Sequence, residues 1–324
     1  KREDPTVIAL EERGAALLGH EAAVYVPTAT MANQIALRLL SEPGDELIAH
    51  SAAHVVRYEL GGPAVHSGLS LRAIETDDGR FGTEEVRAAV NPRADLHMPV
   101  TRIVSLENTH NGGGGRVWSL DDVRAVAEEA RRHGLAVHLD GARLLNACAA
   151  SGNPASAYGR EADAVTLCLS KGLGCPLGAL LATSAERAPK ARRLKHLFGG
   201  AMRQAGIVAA AGLYALAHHV ERLAEDHANA RRLAEGFVEG GLPVDLGQVE
   251  TNFVLLDVAR MGFDPDEAVA RLRVEGVGLS FASRSGVLRA VTHLDVSRED
   301  VERAVPAVAR ALAPVGAYAG SRGP

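Results

Sequence analysis

A lysine at the end of a short apolar run constrains this chain more than any other residue. Ala164-Val165-Thr166-Leu167-Cys168-Leu169 is rich in β-formers and reads as a buried strand. The run stops at Ser170-Lys171, and Gly172 and Gly174 follow. A cation at the mouth of a buried strand costs free energy unless it is paired or put to use. Partial desolvation is also what turns a lysine amine into a nucleophile for carbonyl carbon. Alone, the stretch fits a surface lysine ending a strand as well as it fits a reactive one.

A second stretch separates these readings. Leu135-Ala136-Val137-His138-Leu139-Asp140 is another apolar strand, and it ends in an acid before Gly141-Ala142-Arg143. Ligands of open α/β sheets bind beyond the carboxyl ends of the strands. Asp140 and Lys171 would then face one crevice from neighbouring strands. A lysine that holds an aldehyde and a carboxylate that keeps a ring nitrogen protonated are the pair that pyridoxal 5'-phosphate (PLP) requires.

The 324 residues suit two domains or one large one. Aromatic content is only 4%, so a core must be built from Ala, Leu and Val. The formal charge of −5 argues against a nucleic-acid surface. No apolar run reaches membrane-spanning length, and Lys1-Arg2-Glu3-Asp4 opens no secretory signal. Cys148, Cys168 and Cys175 show no CxxC spacing and read as reduced thiols of a cytoplasmic protein. The histidines show no ligand-type spacing, so no metal site is expected.

Strand and helix patterns alternate up to about residue 185, which predicts an α/β fold with a mostly parallel central sheet flanked by helices. Residues 7–18 read as a helix stopped by Gly19, and 22–26 as a strand. Thr28-Ala29-Thr30 then opens a helix to about Leu40: either a plain Thr cap or an anion site at a helix N-terminus. His54, met alone, reads as structural. The strand 102–106 runs into Glu107-Asn108-Thr109-His110-Asn111 and the glycines 112–115, read as a mobile turn. An alanine-rich helical region spans 205–239, with a bend near Asp226-His227. Its first part, Ala205 to Ala217, has little to bury it in a lone chain. Strands at 243–246, 252–257, 277–281 and 287–291, with helices at 264–275 and 298–313, form a smaller C-terminal α+β domain. The expected domains are 1–220 and 221–324, and the tail after Pro314 reads as loose.

These stretches together resemble the low-specificity L-threonine aldolases, PLP enzymes of the aspartate-aminotransferase-like fold type I. The resemblance spans nearly the whole chain. It rests on Thr28-Ala29-Thr30-Met31-Ala32-Asn33, Glu107-Asn108-Thr109-His110-Asn111, His138-Leu139-Asp140-Gly141-Ala142-Arg143 and Ser170-Lys171-Gly172-Leu173-Gly174, and continues through 199–206 and 289–296. It implies roles residue by residue. Lys171 matches the Schiff-base lysine, Asp140 the partner of the pyridine nitrogen, and His54 the histidine stacked on the cofactor ring. Ala29 and Thr30 match phosphate-cup positions, and Arg203 an arginine reaching phosphate from a neighbouring subunit. Arg143 and Arg289 match arginines near the cofactor and the substrate carboxylate. His97 matches a histidine near the substrate side chain, and Tyr58 is expected to help shape that pocket. His54, His97 or a water they hold would be the base. A homodimer or homotetramer with shared sites follows.

The family usually has glycine where Ala29 stands, and often lysine where His196 stands. It also carries a further N-terminal segment, with a Ser-Asp-Thr motif and a tyrosine near the site. The activity implied is cleavage of L-threonine or L-allo-threonine to glycine and acetaldehyde. A β-eliminating lyase, or an aldolase for phenylserine or 3-hydroxyaspartate, would share most of these residues. A catalytically silent protein on the same scaffold would not need to keep Lys171, Asp140, His54 and Arg289 together.

Overall fold

The computed structural model describes residues 3–313. The chain divides into two compact units, Lys1–Ala224 and Glu225–Pro324. The first is built on a seven-stranded sheet. Its strands are β1 (Ala22–Val26), β2 (Glu46–His50), β3 (Ser70–Ile74), β4 (Thr101–Glu107), β5 (Ala136–Gly141), β6 (Ala164–Cys168) and β7 (Ala179–Thr183). The order across the sheet is β1-β7-β6-β5-β4-β2-β3. Strands β2 to β6 pair in parallel, while β7 runs antiparallel to both β6 and β1. Two reversals leave β1 pointing the same way as β6. The carboxyl ends of β1, β2, β4, β5 and β6 therefore share one edge, where such sheets bind ligands.

Helices cover both faces. Alternate residues of a strand point to opposite faces. In β1, Ala23 and Tyr25 join one core cluster with Leu10, Trp118 and Tyr158, whereas Val24 and Val26 join another with Ile35, Leu37 and Leu47. Strands β6 and β7 are buried along their whole length, which is why they read as continuous apolar runs. The sole tryptophan, Trp118, is fully buried edge-on against Phe81. The helix Pro5–Leu18 starts on an Asp4 cap and stops at Gly19, whose φ of 71° lies in the left-handed region.

The second unit holds a three-stranded antiparallel sheet of β8 (Phe253–Asp257), β9 (Ser280–Phe281) and β10 (Val287–Val291), in the order β8-β10-β9. Helices Pro265–Val274 and Arg298–Ala311 pack in the same unit around Phe237, Leu256, Leu272 and Leu288. The α/β fold, with its mostly parallel sheet and smaller C-terminal sheet, is thus the one expected.

Local expectations differ in four places. Residues 243–246 form no strand, because the Asp245 carboxylate accepts from Gly247 N–H and turns the chain into a short 3-10 helix, Leu246–Gln248. The strand expected at 277–281 shrinks to β9, because Val277 N–H instead donates to Leu272 O and closes the preceding helix. The alanine-rich region breaks at 219–222, between helices Gly206–His218 and Leu223–Glu239, where His219 Nδ1–H donates to Leu173 O. Asp226 lies inside the second of these. The helix Gly206–His218 is also less bare than expected. Ala209, Gly212, Ala215 and Leu216 are buried, Gly212 lying beside Leu10 and Leu169, while Ile207 and Tyr214 are exposed. The tail after Pro314 lies outside the described residues.

Candidate active site

Parallel pairing puts Glu107 of β4 directly beside Asp140 of β5, and Asp140 beside Thr166 of β6. All three are buried. Asp140 Oδ2 accepts from Asn33 Nδ2 at 2.7 Å, and its Oδ1 from Ala142 N–H at 3.0 Å. Three residues past the end of β6, Lys171 stands on the connection to β7. Burial, reinforced by the Arg143 guanidinium, holds the Lys171 ammonium below the usual lysine range, while Cys168, Asp140 and Glu107 act in the opposite sense. Asp140 and Arg143 thus act on the charge of Lys171 beyond the carboxyl ends of the neighbouring strands β5 and β6. A lysine depressed in this way has its lone pair more readily available.

His54 opens a single helical turn, His54–Arg57, beyond β2. Its backbone N–H donates to Glu107 Oε2 at 2.6 Å, and Asn111 N–H donates to Glu107 Oε1 at 2.7 Å. Glu107 therefore pins two loops. Its burial, and the Asp140 charge beside it, push its carboxyl up to about 7. His54 Nδ1–H donates to Glu59 Oε1 at 2.8 Å, and that bond holds the imidazole above the ordinary histidine range. Asn33 Nδ2 also donates to Glu59 Oε1, at 2.8 Å. One nitrogen, or oxygen, from each of His54, Glu59 and Asp140 lies within 4.8 Å of the others. The contacts are hydrogen bonds from N–H donors, so each carboxylate already faces a proton. The ring of Tyr58, half-exposed, lies 5.6 Å from that of His54.

Thr28 caps the helix Ala29–Leu40, accepting from Met31 N–H at 3.1 Å. Ala29 and Thr30 supply N–H groups with no acceptor among the described residues, beyond the carboxyl end of β1. Such a helix start favours an anion. Leu60 and Gln204 are the non-glycine residues with positive φ among those described, so Ala29 has an ordinary backbone and the usual glycine is not needed there.

Other expected residues are placed elsewhere. His97 lies exposed in the loop before β4, at the opposite end of that seven-residue strand from Glu107. Strand rise puts those ends about 20 Å apart. This chain's own His97 is thus not brought to its own Lys171. Arg203 is exposed and has no hydrogen bond or ion pair among the described residues. Arg289 lies on β10 in the second unit, 4.8 Å over the Phe253 ring and with its Nε near Ser280 Oγ.

The glycine run is a turn, but a packed one. Gly113 N–H donates to Nδ1 of the buried His110, and Gly115 N–H to His110 O. Burial pushes the His110 imidazole down to about 3, aided by His50. A Cβ on Gly113 would stand 1.9 Å from Asp78 O. Gly113→Ala should therefore cost about 1–3 kcal/mol, the range for overpacking. A denaturant midpoint equal to the parent's would contradict this packing.

Three buried polar residues went unassigned in the sequence: Asn33, Glu59 and Glu107. Asn33 and Glu107 sit inside the motifs that carry the resemblance. Glu59 follows His54 by five residues, and nothing in its spacing marks it.

The residues present fit PLP. Asp140 is a buried carboxylate that accepts from two neutral N–H donors, Asn33 Nδ2 and Ala142 N, so a pyridine N–H would complete it. The free N–H groups at 29 and 30 suit a phosphate, and Lys171 suits an aldehyde.

Comparison with known proteins agrees. The Beta-eliminating lyase family profile matches residues 1–261. The low specificity L-threonine aldolase of Escherichia coli K12 is 40% identical over 301 residues, covering 92% of this chain and 87% of that protein. The probable low-specificity L-threonine aldolase 2 of Arabidopsis thaliana is 40% identical over 305 residues, covering 92% and 85%. Among solved structures, the Leishmania major threonine aldolase superposes with a TM-score of 0.82 at 19% identity, over 96% of this chain and 91% of that one. Aspartate aminotransferase of Thermus thermophilus gives a TM-score of 0.71 at 20% identity, over 94% and 81%. Those two likenesses show the fold, and the sequence matches show the kinship: this chain belongs to the low-specificity L-threonine aldolase family, PLP-dependent enzymes of fold type I.

Proposed function

We propose that this chain is a PLP-dependent lyase that cleaves the Cα–Cβ bond of L-threonine and L-allo-threonine, giving glycine and acetaldehyde. The observation that supports the reading is the register that sets Glu107 beside Asp140 at the carboxyl ends of β4 and β5, next to the β6 connection carrying Lys171, with His54 bound to Glu59. When bound, the cofactor supplies an electron sink for the pair left on Cα as the bond breaks.

The protein's own groups do the rest. Lys171 anchors the aldehyde and yields it to the substrate amine. Asp140 keeps the ring nitrogen protonated. Arg143 takes the substrate carboxylate, the role the resemblance also gives to Arg289; a guanidinium fork holds a carboxylate in bidentate fashion and fixes the orientation of the bond to be broken. His54 accepts the β-hydroxyl proton, directly or through water, and the aldehyde leaves as that O–H becomes C=O. A proton returned to Cα completes glycine. Ala29 and Thr30 hold phosphate at their helix start.

His97, distant from its own crevice, serves the substrate side chain only from another copy. The reading therefore includes a homodimer or homotetramer with shared sites. The exposed Arg203, Ile207 and Tyr214 support it. Free Cys148, Cys168 and Cys175 support a reducing, cytoplasmic setting. Among the described residues no helix is long and apolar enough to cross a membrane.

Acetaldehyde release from L-threonine and L-allo-threonine, set against ammonia release from serine, tests the activity. Ammonia alone would make the chain a β-eliminating lyase. His54→Asn should slow threonine cleavage by about 10²–10⁴-fold, the range of acid–base catalysis. His97→Asn should act more weakly, through the substrate side chain. A change below about tenfold in the His54 variant would remove it as base.

A further inference from the structure

We propose that Glu59 is a positioning residue for His54, presenting that imidazole with its proton on Nδ1 and its Nε2 free to take a second one, and that Asn33 ties this pair to Asp140. The role in catalysis rests on the aldolase reading; the arrangement of protons does not.

The side chain of Glu59 is fully buried. It accepts three N–H donors: His54 Nδ1 and Asn33 Nδ2 on Oε1, and Gln34 Nε2 on Oε2. A carboxylate only accepts, so the hydrogen between it and His54 belongs to Nδ1. That fixes the tautomer. It leaves Nε2, which has no partner among the described residues, as the nitrogen that receives a proton. Once it has done so, the imidazolium sits against a buried carboxylate that stabilises it, the logic by which an acid assists a histidine base. Asn33 and Gln34 are neighbours on the helix Ala29–Leu40, and their amides prevent Glu59 from turning away.

Asn33 adds a second connection. The two hydrogens of one Nδ2 go to Glu59 Oε1 and Asp140 Oδ2. A neutral amide thus separates two buried carboxylates that would otherwise repel. It also links Asp140, the carboxylate that would pair with the cofactor's ring nitrogen, to the group orienting the base. The charged neighbours of His54 are Glu59, on the segment after its own helical turn, Asp140 on β5 and Glu107 on β4, with the Tyr58 ring beside it.

The test uses the PLP-loaded protein and Glu59→Gln. The new amide can be accommodated, because Gln34 Oε1 is buried without a partner and a flip of that amide would present it to the new NH₂. Thermal midpoints check that the variant folds. Ring-nitrogen NMR, assigned with a His54→Asn sample, reads the tautomer without turnover. The wild type should carry its proton on Nδ1. In Glu59→Gln the titration midpoint of His54 should fall, and the acid limb of kcat/KM should fall with it. The plateau rate should drop about 10- to 100-fold, mostly in kcat, short of the full loss of a base. Glu59→Asp, which keeps the charge, should hold the midpoint near the wild-type value. A neutral His54 ring in the wild type carrying its single proton on Nε2 would overturn the proposal, as would an unmoved midpoint in Glu59→Gln. If wild type releases no acetaldehyde from threonine, the aldolase reading fails while the NMR result still decides the role of Glu59.

Discussion

Lys171→Ala yields a folded protein without the yellow colour of lysine-bound pyridoxal, and borohydride no longer fixes the cofactor to it. The alanine fills no cavity and strands no partner, because the amine lies at a crevice and its charge is already disfavoured there by burial and Arg143. Stability should therefore change little. Cleavage should fall by at least about 10²–10⁴-fold, since the lysine both anchors the aldehyde and stands where a proton must be moved. Absorbance after dialysis and threonine cleavage together read the result. A yellow variant that borohydride still labels would place the anchor at another lysine.

Asp140→Ala separates binding from chemistry. The helix start at Ala29 and Thr30 and the amine of Lys171 remain, so the variant should still take up PLP and colour. The ring nitrogen loses its carboxylate, and cleavage should drop by roughly 10²–10³-fold, as when one group placed against developing charge is removed. This change also strands Asn33 Nδ2 and Ala142 N–H, which Asp140 now satisfies. Some loss of stability is expected too, about 1–3 kcal/mol for buried donors left unpaired. Near-normal turnover at full cofactor occupancy would end the role assigned to Asp140.

The sheet was legible because β5 and β6 are buried on both faces and so spell themselves as apolar runs ending in chemistry. The helix start at Thr28 was legible from its cap. What lay beyond reach depended on long-range pairing. Glu107 and Asp140 are 33 positions apart, and only the β4–β5 register makes them neighbours. Asn33 reaches Asp140 across 107 positions and Glu59 across 26. Neither spacing has a period. The turn His54–Arg57 is four residues long, too short for helical periodicity to declare it. Similarity alone drew His97 toward the site, and the chain's path puts it at the far end of β4. Residues 243–246 have strand composition, but one local side-chain bond, from Asp245, outweighed it.

The reversal of β7 has a consequence for how Lys171 is held. Residues 169–178 span two adjacent interior strands, and Leu169 N–H donates to Gly178 O, Cys175 N–H to Leu169 O, and Gly174 N–H to Lys171 O. Lys171 thus rides on a bridge clamped at both abutments, not on an independent flap. Opening that bridge means fraying the middle of the sheet, so its backbone amides should exchange with the slow cooperative unit of the fold. An insertion in this span should therefore cost more stability than one in a surface loop, which a thermal midpoint would read.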